Sequence, residues 1–188
     1  MNDIELKPIE TEYNGYKFRS RLEARWAVFF DTAGVEYEYE PEGFELSSGY
    51  RYLPDFLVHN CTERAEGDLW VEVKGKATKY DADRIWEFAE NNPILVVDCI
   101  PKGNTASDLW SEMIWRSGNC MGDDFRLYPF NFDTIDGDAF GLGVMANGKG
   151  GLALCGADSS YYHGFDEELT VRAYQAARQA RFEYGCRG

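Results

Sequence analysis

The sequence predicts an α/β fold of the mixed α+β kind, a central mixed sheet flanked by helices, followed by a β-rich extension that a last helix closes. Three observations predict it. Helix-period and strand-period hydrophobic patterns succeed one another through the first hundred residues in the order helix, three or four strands, helix, strand. Residues 123–157 are rich in glycine and aromatics, in the short runs that read as strands and turns. The chain has 188 residues, 44% of them hydrophobic and 15% aromatic, which is ample for a packed core and unlike a disordered composition. These patterns divide it into a core over residues 1–104 and an extension over residues 105–188 that packs on the core.

The first helix is expected from Ser20 to Gly34. Ser20 with Glu23 three residues on forms a capping box, and Gly34 is a natural stop. Leu22, Trp26, Phe29 and Ala33 recur at helical spacing and mark a core-facing stripe, with Glu23 at its edge. Val35–Glu40 alternates strictly and reads as a half-buried strand that Pro41-Glu42-Gly43 ends. Phe44–Leu46 begins a second strand, with Ser47-Ser48-Gly49 as its turn. Tyr52–Val58 is a third, carrying Pro54-Asp55. Leu69–Lys74 is a fourth, with Val71 and Val73 on one face and Trp70, Glu72 and Lys74 on the other. A helix over Asp81–Glu90 and an apolar strand over Ile94–Ile100 complete the core.

Charge and cysteine content narrow the function. With 19 Lys+Arg against 33 Asp+Glu the net charge is −14, which argues against a nonspecific nucleic-acid coat, since neutralising phosphates needs a basic footprint. A local site is still open to nucleic acid, because charges beyond about 10 Å are screened in ordinary salt. The five cysteines (Cys61, Cys99, Cys120, Cys155, Cys186) are scattered and form no CxxC, so neither a disulfide framework nor a cysteine-rich zinc site is expected. With His59 and His163 as the only histidines, a histidine zinc site lacks ligands too. A bound metal would be held by oxygens, which points to Mg²⁺ or Mn²⁺. The acidic, polar N-terminus does not read as a signal peptide, and no apolar run approaches a membrane span. The expectation is a cytoplasmic protein with no membrane association.

The residues with chemistry lie in the first half. Hydrolysing a phosphodiester at neutral pH needs an activated water and a way to hold the charge that builds on the phosphate. Divalent ions held by converging carboxylates provide both. An Asp at a strand start and a Glu on the adjacent strand can meet at one ion. A Lys two residues after that Glu lies on the same strand face, where its ammonium can orient the water or stabilise the transition state. Asp55, Glu72 and Lys74 meet this pattern, and the helix-borne Glu23 can complete it.

The strings FRSRLE (Phe18–Glu23), VEYEYE (Val35–Glu40), YLPDF (Tyr52–Phe56) and VEVKG (Val71–Gly75), in that order, resemble the PD-(D/E)xK nuclease core. They are most similar to the branch of phage endonuclease I, a Holliday-junction resolvase, and more loosely to TnsA-like endonucleases. The resemblance covers residues 16–101. It implies a three-layer restriction-endonuclease-like fold and Mg²⁺-dependent cleavage of DNA, of branched or structured form. It also implies metal ligation by Asp55 and Glu72 with support from Glu23, and a catalytic Lys74. Residues 105–188 match nothing in that branch, and its strongly basic tail is missing.

Each element also has a plain structural reading. Pro-Asp is a frequent turn dipeptide, Glu72 and Lys74 can be a solvated strand face, and Glu23 can be only a cap. Lys17, Arg19, Arg21, Arg25, Lys76, Lys79 and Arg84 form a local concentration of positive charge. Arg19, Arg21, Lys76 and Lys79 are the candidates for phosphate contact, against the alternative of ordinary surface charge paired with glutamates. A catalytically silent nuclease fold, such as an acidic DNA mimic binding a basic partner, or a subunit of a DNA-processing complex, also fits the charge. Symmetric cleavage of two strands would suit a homodimer, and the C-terminal half could carry a protein partner.

In that half, residues 105–122 include Ser107–Trp115, which reads as a short helix. Asn147-Gly148 is a hairpin turn between Leu142–Ala146 and Gly151–Leu154. Gly143–Gly150 nearly spells a phosphate-binding P-loop. It lacks Ser or Thr after Lys149, and the following glycine-rich stretch cannot be the helix that motif requires, so the hairpin is preferred. The last helix is expected over Asp166–Tyr184, acidic at its start and arginine-rich at its end, in accord with the helix dipole. Arg172, Arg178 and Arg181 on it read as part of a packed closing helix, with contact to nucleic acid or a partner as the alternative.

Overall fold

The computed structural model describes residues 8–59, 68–75, 79–92, 94–97, 99–102, 110–111, 115–117, 140–146, 152–157 and 166–182. Its first elements are a hairpin of β1 (Thr11–Tyr13) and β2 (Tyr16–Phe18). Asn14 and Gly15 turn it, both at positive φ (47° and 82°), the backbone of the tight turn that matches strand twist. Helix α1 spans Arg21–Ala33 with Ser20 as N-cap. The Ser20 hydroxyl accepts the Glu23 N–H at 3.1 Å. At the other end Gly34 adopts φ 70°, and the Val35 N–H closes on the Phe30 carbonyl at 3.0 Å, a glycine-dependent stop.

A five-stranded mixed sheet forms the centre. It contains β3 (Tyr37–Tyr39), β6 (Phe56–Val58), β7 (Leu69–Val73), β8 (Ile94–Val97) and β10 (Trp115–Ser117), and its spatial order is β10-β8-β7-β6-β3. All neighbours are antiparallel except β7 and β8. That parallel step needs a crossover, and α2 (Lys79–Ala89) is part of it. β4 (Phe44–Glu45) and β5 (Arg51–Tyr52) pair as a separate hairpin. Three further strands make a second sheet: β9 (Trp110–Ser111), β11 (Phe140–Ala146) and β12 (Leu152–Ala157). Helix α3 spans Glu167–Gln179, with Asp166 capping the Leu169 N–H at 2.8 Å.

Strand alternation sorts the core into two apolar clusters. Phe56, Val58, Leu69, Val71, Val73, Leu95 and Val97 pack with α1 and α3, whereas Trp70, Ile94 and Val96 pack with Ile85, Phe88 and Ala89 of α2. α1 is buried on more than the single stripe expected. Ala24, Ala27, Val28 and Phe30 are covered as well as Trp26, Phe29 and Ala33. The helix has two partners: Tyr174 of α3 lies on Phe29 with ring centroids 4.4 Å apart and meets Trp26 edge-on, whereas Phe30 packs on Tyr37 and Phe56 of the sheet. A helix covered on two sides is apolar on two sides.

Three expectations are corrected. The strand expected over Tyr52–Val58 is two strands, β5 and β6, in different sheets. Pro54, which has no N–H to give a ladder, stands between them. The short helix expected within residues 105–122 is not what the described residues there form. Trp110–Ser111 and Trp115–Ser117 are strands, and β10 completes the edge of β8. The last helix ends at Gln179 rather than Tyr184. The hairpin of β11 and β12 pairs Ala146 with Leu152; its Asn147-Gly148 turn lies outside the described residues. A strand, not a helix, follows it, so the P-loop reading has no support. No helix among the described residues is long and apolar enough to cross a membrane.

Candidate active site

β6 and β7 bring the two acidic residues together. Their antiparallel register pairs Phe56 with Val71, which puts Asp55, the residue before Phe56, at the position next to Glu72, the residue after Val71, and the Glu72 charge acts on Asp55. Asp55 Oδ2 accepts the Val73 N–H at 2.7 Å. The Asp55 carbonyl in turn accepts the Glu40 N–H at 2.9 Å. Glu40 turns the chain there at φ 46°, a conformation seldom used by residues with a side chain. The backbone that carries Asp55 is therefore fixed on both sides.

Glu72 is held by two different donors. Lys74 Nζ lies 2.6 Å from Oε1, and the Tyr52 hydroxyl donates to Oε2 at 2.9 Å. Lys74 also lies 3.6 Å from Asp81 on α2, and its backbone N–H is anchored on the Val97 carbonyl at 2.8 Å. Both carboxylates are almost out of solvent: Glu72 is 2% exposed and Asp55 6%. The Lys74 side chain is 24% exposed, so of the three it is the one that reaches the surface.

Burial and mutual repulsion set the protonation of this group. Burial, then the charges of Glu72 and Glu23, push the Asp55 carboxyl well above the usual carboxylate range, against the Val73 N–H and the Lys74 charge. Burial also raises Glu72, with Lys74 and Tyr52 opposing. Burial alone would lower Lys74, but the charge and hydrogen bond of Glu72, with Asp55 and Asp81, outweigh it and raise its pKa. Lys74 is thus an ammonium at neutral pH.

Glu23 is buried at 7% exposure, and its charge is felt by Asp55. Its own carboxylate is engaged elsewhere, however. Oε2 accepts the Tyr39 hydroxyl at 2.6 Å and the Arg19 N–H at 3.0 Å. It performs the capping-box duty one residue before the cap through this oxygen. Among the described residues, no group of three or more His, Cys, Asp or Glu side chains is gathered to hold a metal ion.

Of the four residues expected to touch nucleic acid, Arg19 is exposed and paired with Glu40. Arg21 opens α1, half-buried, and Lys79 opens α2. Lys76 lies outside the described residues. Two tyrosines not singled out from sequence belong to the site, Tyr52 beside Glu72 and Tyr39 beside Glu23. The strict alternation of Val35–Glu40 places Tyr39 on the inward face with Tyr37, and Tyr52 stands three residues before Asp55; each is a signal that could have found them. Neither protein-family models nor curated proteins give a match to this chain.

Proposed function

We propose that the chain is a metal-dependent endonuclease that hydrolyses DNA phosphodiester bonds, on a three-layer nuclease-type core. The observation that carries the reading is the adjacent pair of buried carboxylates, Asp55 and Glu72, with the Lys74 ammonium on Glu72. The helix–sheet–helix order, with apolar clusters on both sheet faces, supports the core.

The donor set fits a hard divalent cation such as Mg²⁺ or Mn²⁺: two all-oxygen groups, out of water, whose negative charges oppose each other. Asp55 and Glu72 would hold the ion, with Glu23, whose Oε2 is taken by Tyr39 and the Arg19 N–H, beside them. When bound, the ion would supply a polarised water and charge stabilisation on the phosphate. Lys74 remains protonated, so its contribution is a positive charge beside the scissile phosphate rather than a base that removes a proton. Asp81 holds that ammonium from the α2 side, and Arg19 is the exposed cation nearest the start of α1 for a flanking phosphate. The substrate class proposed is DNA with branched or otherwise structured form, in the cytoplasm, cut by a homodimer where both strands are severed. The C-terminal half is the proposed surface for any protein partner.

The test is a cleavage panel of duplex, single-stranded and branched DNA with Mg²⁺, Mn²⁺ or EDTA, on the wild type and Glu72→Ala. Cleavage should require the metal and fall by at least about 10³-fold in the variant, since a lost ligand removes the ion's contribution to the barrier. Full metal-dependent cleavage by Glu72→Ala would overturn the assignment.

One set of observations favours a second reading, a silent nuclease fold that binds a basic partner as an acidic DNA mimic or complex subunit. Both oxygens of Glu72 and one of Asp55 already have donors from this chain, and the net charge is −14. That reading predicts no cleavage of any substrate in the panel and a salt-sensitive complex with a basic protein.

A further inference from the structure

We infer that Tyr52 is a positioning residue for Glu72, fixing the orientation in which that carboxylate meets a divalent cation. The inference rests on the metal-site reading and assigns a residue that the sequence pattern leaves unassigned. Tyr52 is buried, and a buried phenol needs an acceptor for its O–H. The acceptor is Glu72 Oε2 at 2.9 Å, while Lys74 occupies the other oxygen, Oε1. With one donor on each oxygen, the plane of the carboxylate is set and its rotation is blocked.

The phenol is itself held in place. Its ring packs on Phe88 of α2 with centroids 4.9 Å apart, and its backbone pairs with Phe44 in the β4–β5 hairpin. That hairpin is separate from the central sheet, so Tyr52 makes no ladder bond of the core. Its link to the sheet is through Glu72 and side-chain packing. The same segment, Tyr52-Leu53-Pro54-Asp55, presents the hydroxyl to one carboxylate and three residues later supplies the other. Pro54 stiffens the connection. A donor behind a metal-binding carboxylate acts on affinity and activity without touching the ion, and removing such a partner typically costs about 10–100-fold.

The experiment is Mn²⁺ binding followed by electron paramagnetic resonance on the full chain, comparing wild type, Tyr52→Phe and Glu72→Ala, with near-ultraviolet circular dichroism on the same samples. Tyr52→Phe keeps the ring and removes only the hydroxyl. The expected result is wild-type circular dichroism, Mn²⁺ affinity lowered about 10–100-fold, and a bound-Mn²⁺ spectrum broadened relative to wild type. Wild-type affinity and spectrum in Tyr52→Phe, with binding lost in Glu72→Ala, would overturn the role of Tyr52 and leave the metal site standing. A loss of affinity that comes with collapse of the dichroism spectrum would make Tyr52 structural and overturn the assignment equally. A wild type that binds no Mn²⁺, or binds it unchanged after Glu72→Ala, would overturn the metal-site reading and this inference with it.

Discussion

The carboxyl group of Asp55 sits where burial and the charges of Glu72 and Glu23 all favour its neutral form, and the Val73 N–H and Lys74 only partly offset them. Its folded pKa therefore lies above the unfolded value of 3.8. The sign follows directly: the fold is at no disadvantage below that value, and it loses stability as pH rises through the folded pKa. Asp55→Asn removes the charge and keeps an oxygen for Val73. It should raise Tm at neutral pH by about 2–4 °C, the effect of about 1 kcal/mol in a chain of this length. The gain should vanish in acid, and a thermal melt at both pH values checks it. At the opposite end of β6, His59 carries the reverse sign. Its Nδ1 lies 3.1 Å from Asp68 and its Nε2 3.0 Å from Glu38. Burial opposes the charged ring, but Asp68 and then Glu38 outweigh it, so the pKa is raised above 6.5. The stabilisation is full below 6.5 and disappears as pH rises through the folded value. Melts from about pH 5 to about pH 8 should show it, and His59→Gln should flatten that part of the profile.

Among the elements, α1 was the most legible because its signals are local. A capping serine, a glutamate three residues on and a terminal glycine leave little room for another structure. Ser20→Ala removes the hydroxyl that accepts the Glu23 N–H. It should cost about 1 kcal/mol, seen as a Tm lower by about 2–4 °C. An unchanged Tm would mean that Glu23 alone secures the helix start. The Asn14-Gly15 turn is a local signal of the same kind, an Asn-Gly pair at positive φ, but the expectations above passed over it. What local signals missed was settled by partners distant in sequence. Trp115–Ser117 is a strand because β8 offers it a free edge, and no window of its own residues contains that edge. The split at Pro54 was readable in principle, since a proline inside a strand reading weakens it. The cover that Tyr174 lays over Trp26 and Phe29 was not, because it comes from α3, about 150 residues later in the sequence.

At the scale of the molecule, Asp55, Glu72 and Lys74 could be read from the sequence because strand alternation and pairing determine their side chains' directions. Tyr52 had only its spacing to Asp55 to mark it and Asp81 had nothing, because each reaches the site from a hairpin or helix whose placement depends on the packed core. The same dependence explains Glu23: its helix position is periodic and predictable, but the Tyr39 hydroxyl that claims its carboxylate belongs to another element. The net charge of −14 sets the scale at which function must be decided, since a chain so acidic binds DNA only through local cations and any ion it holds. The central claim, that the buried carboxylate pair serves chemistry rather than the fold, is tested most directly by Asp55→Asn, with cleavage of branched DNA in Mg²⁺ and Tm measured on the same preparation. The account predicts a higher Tm together with cleavage reduced by at least about 10³-fold. Undiminished cleavage, or a Tm that falls, would contradict it.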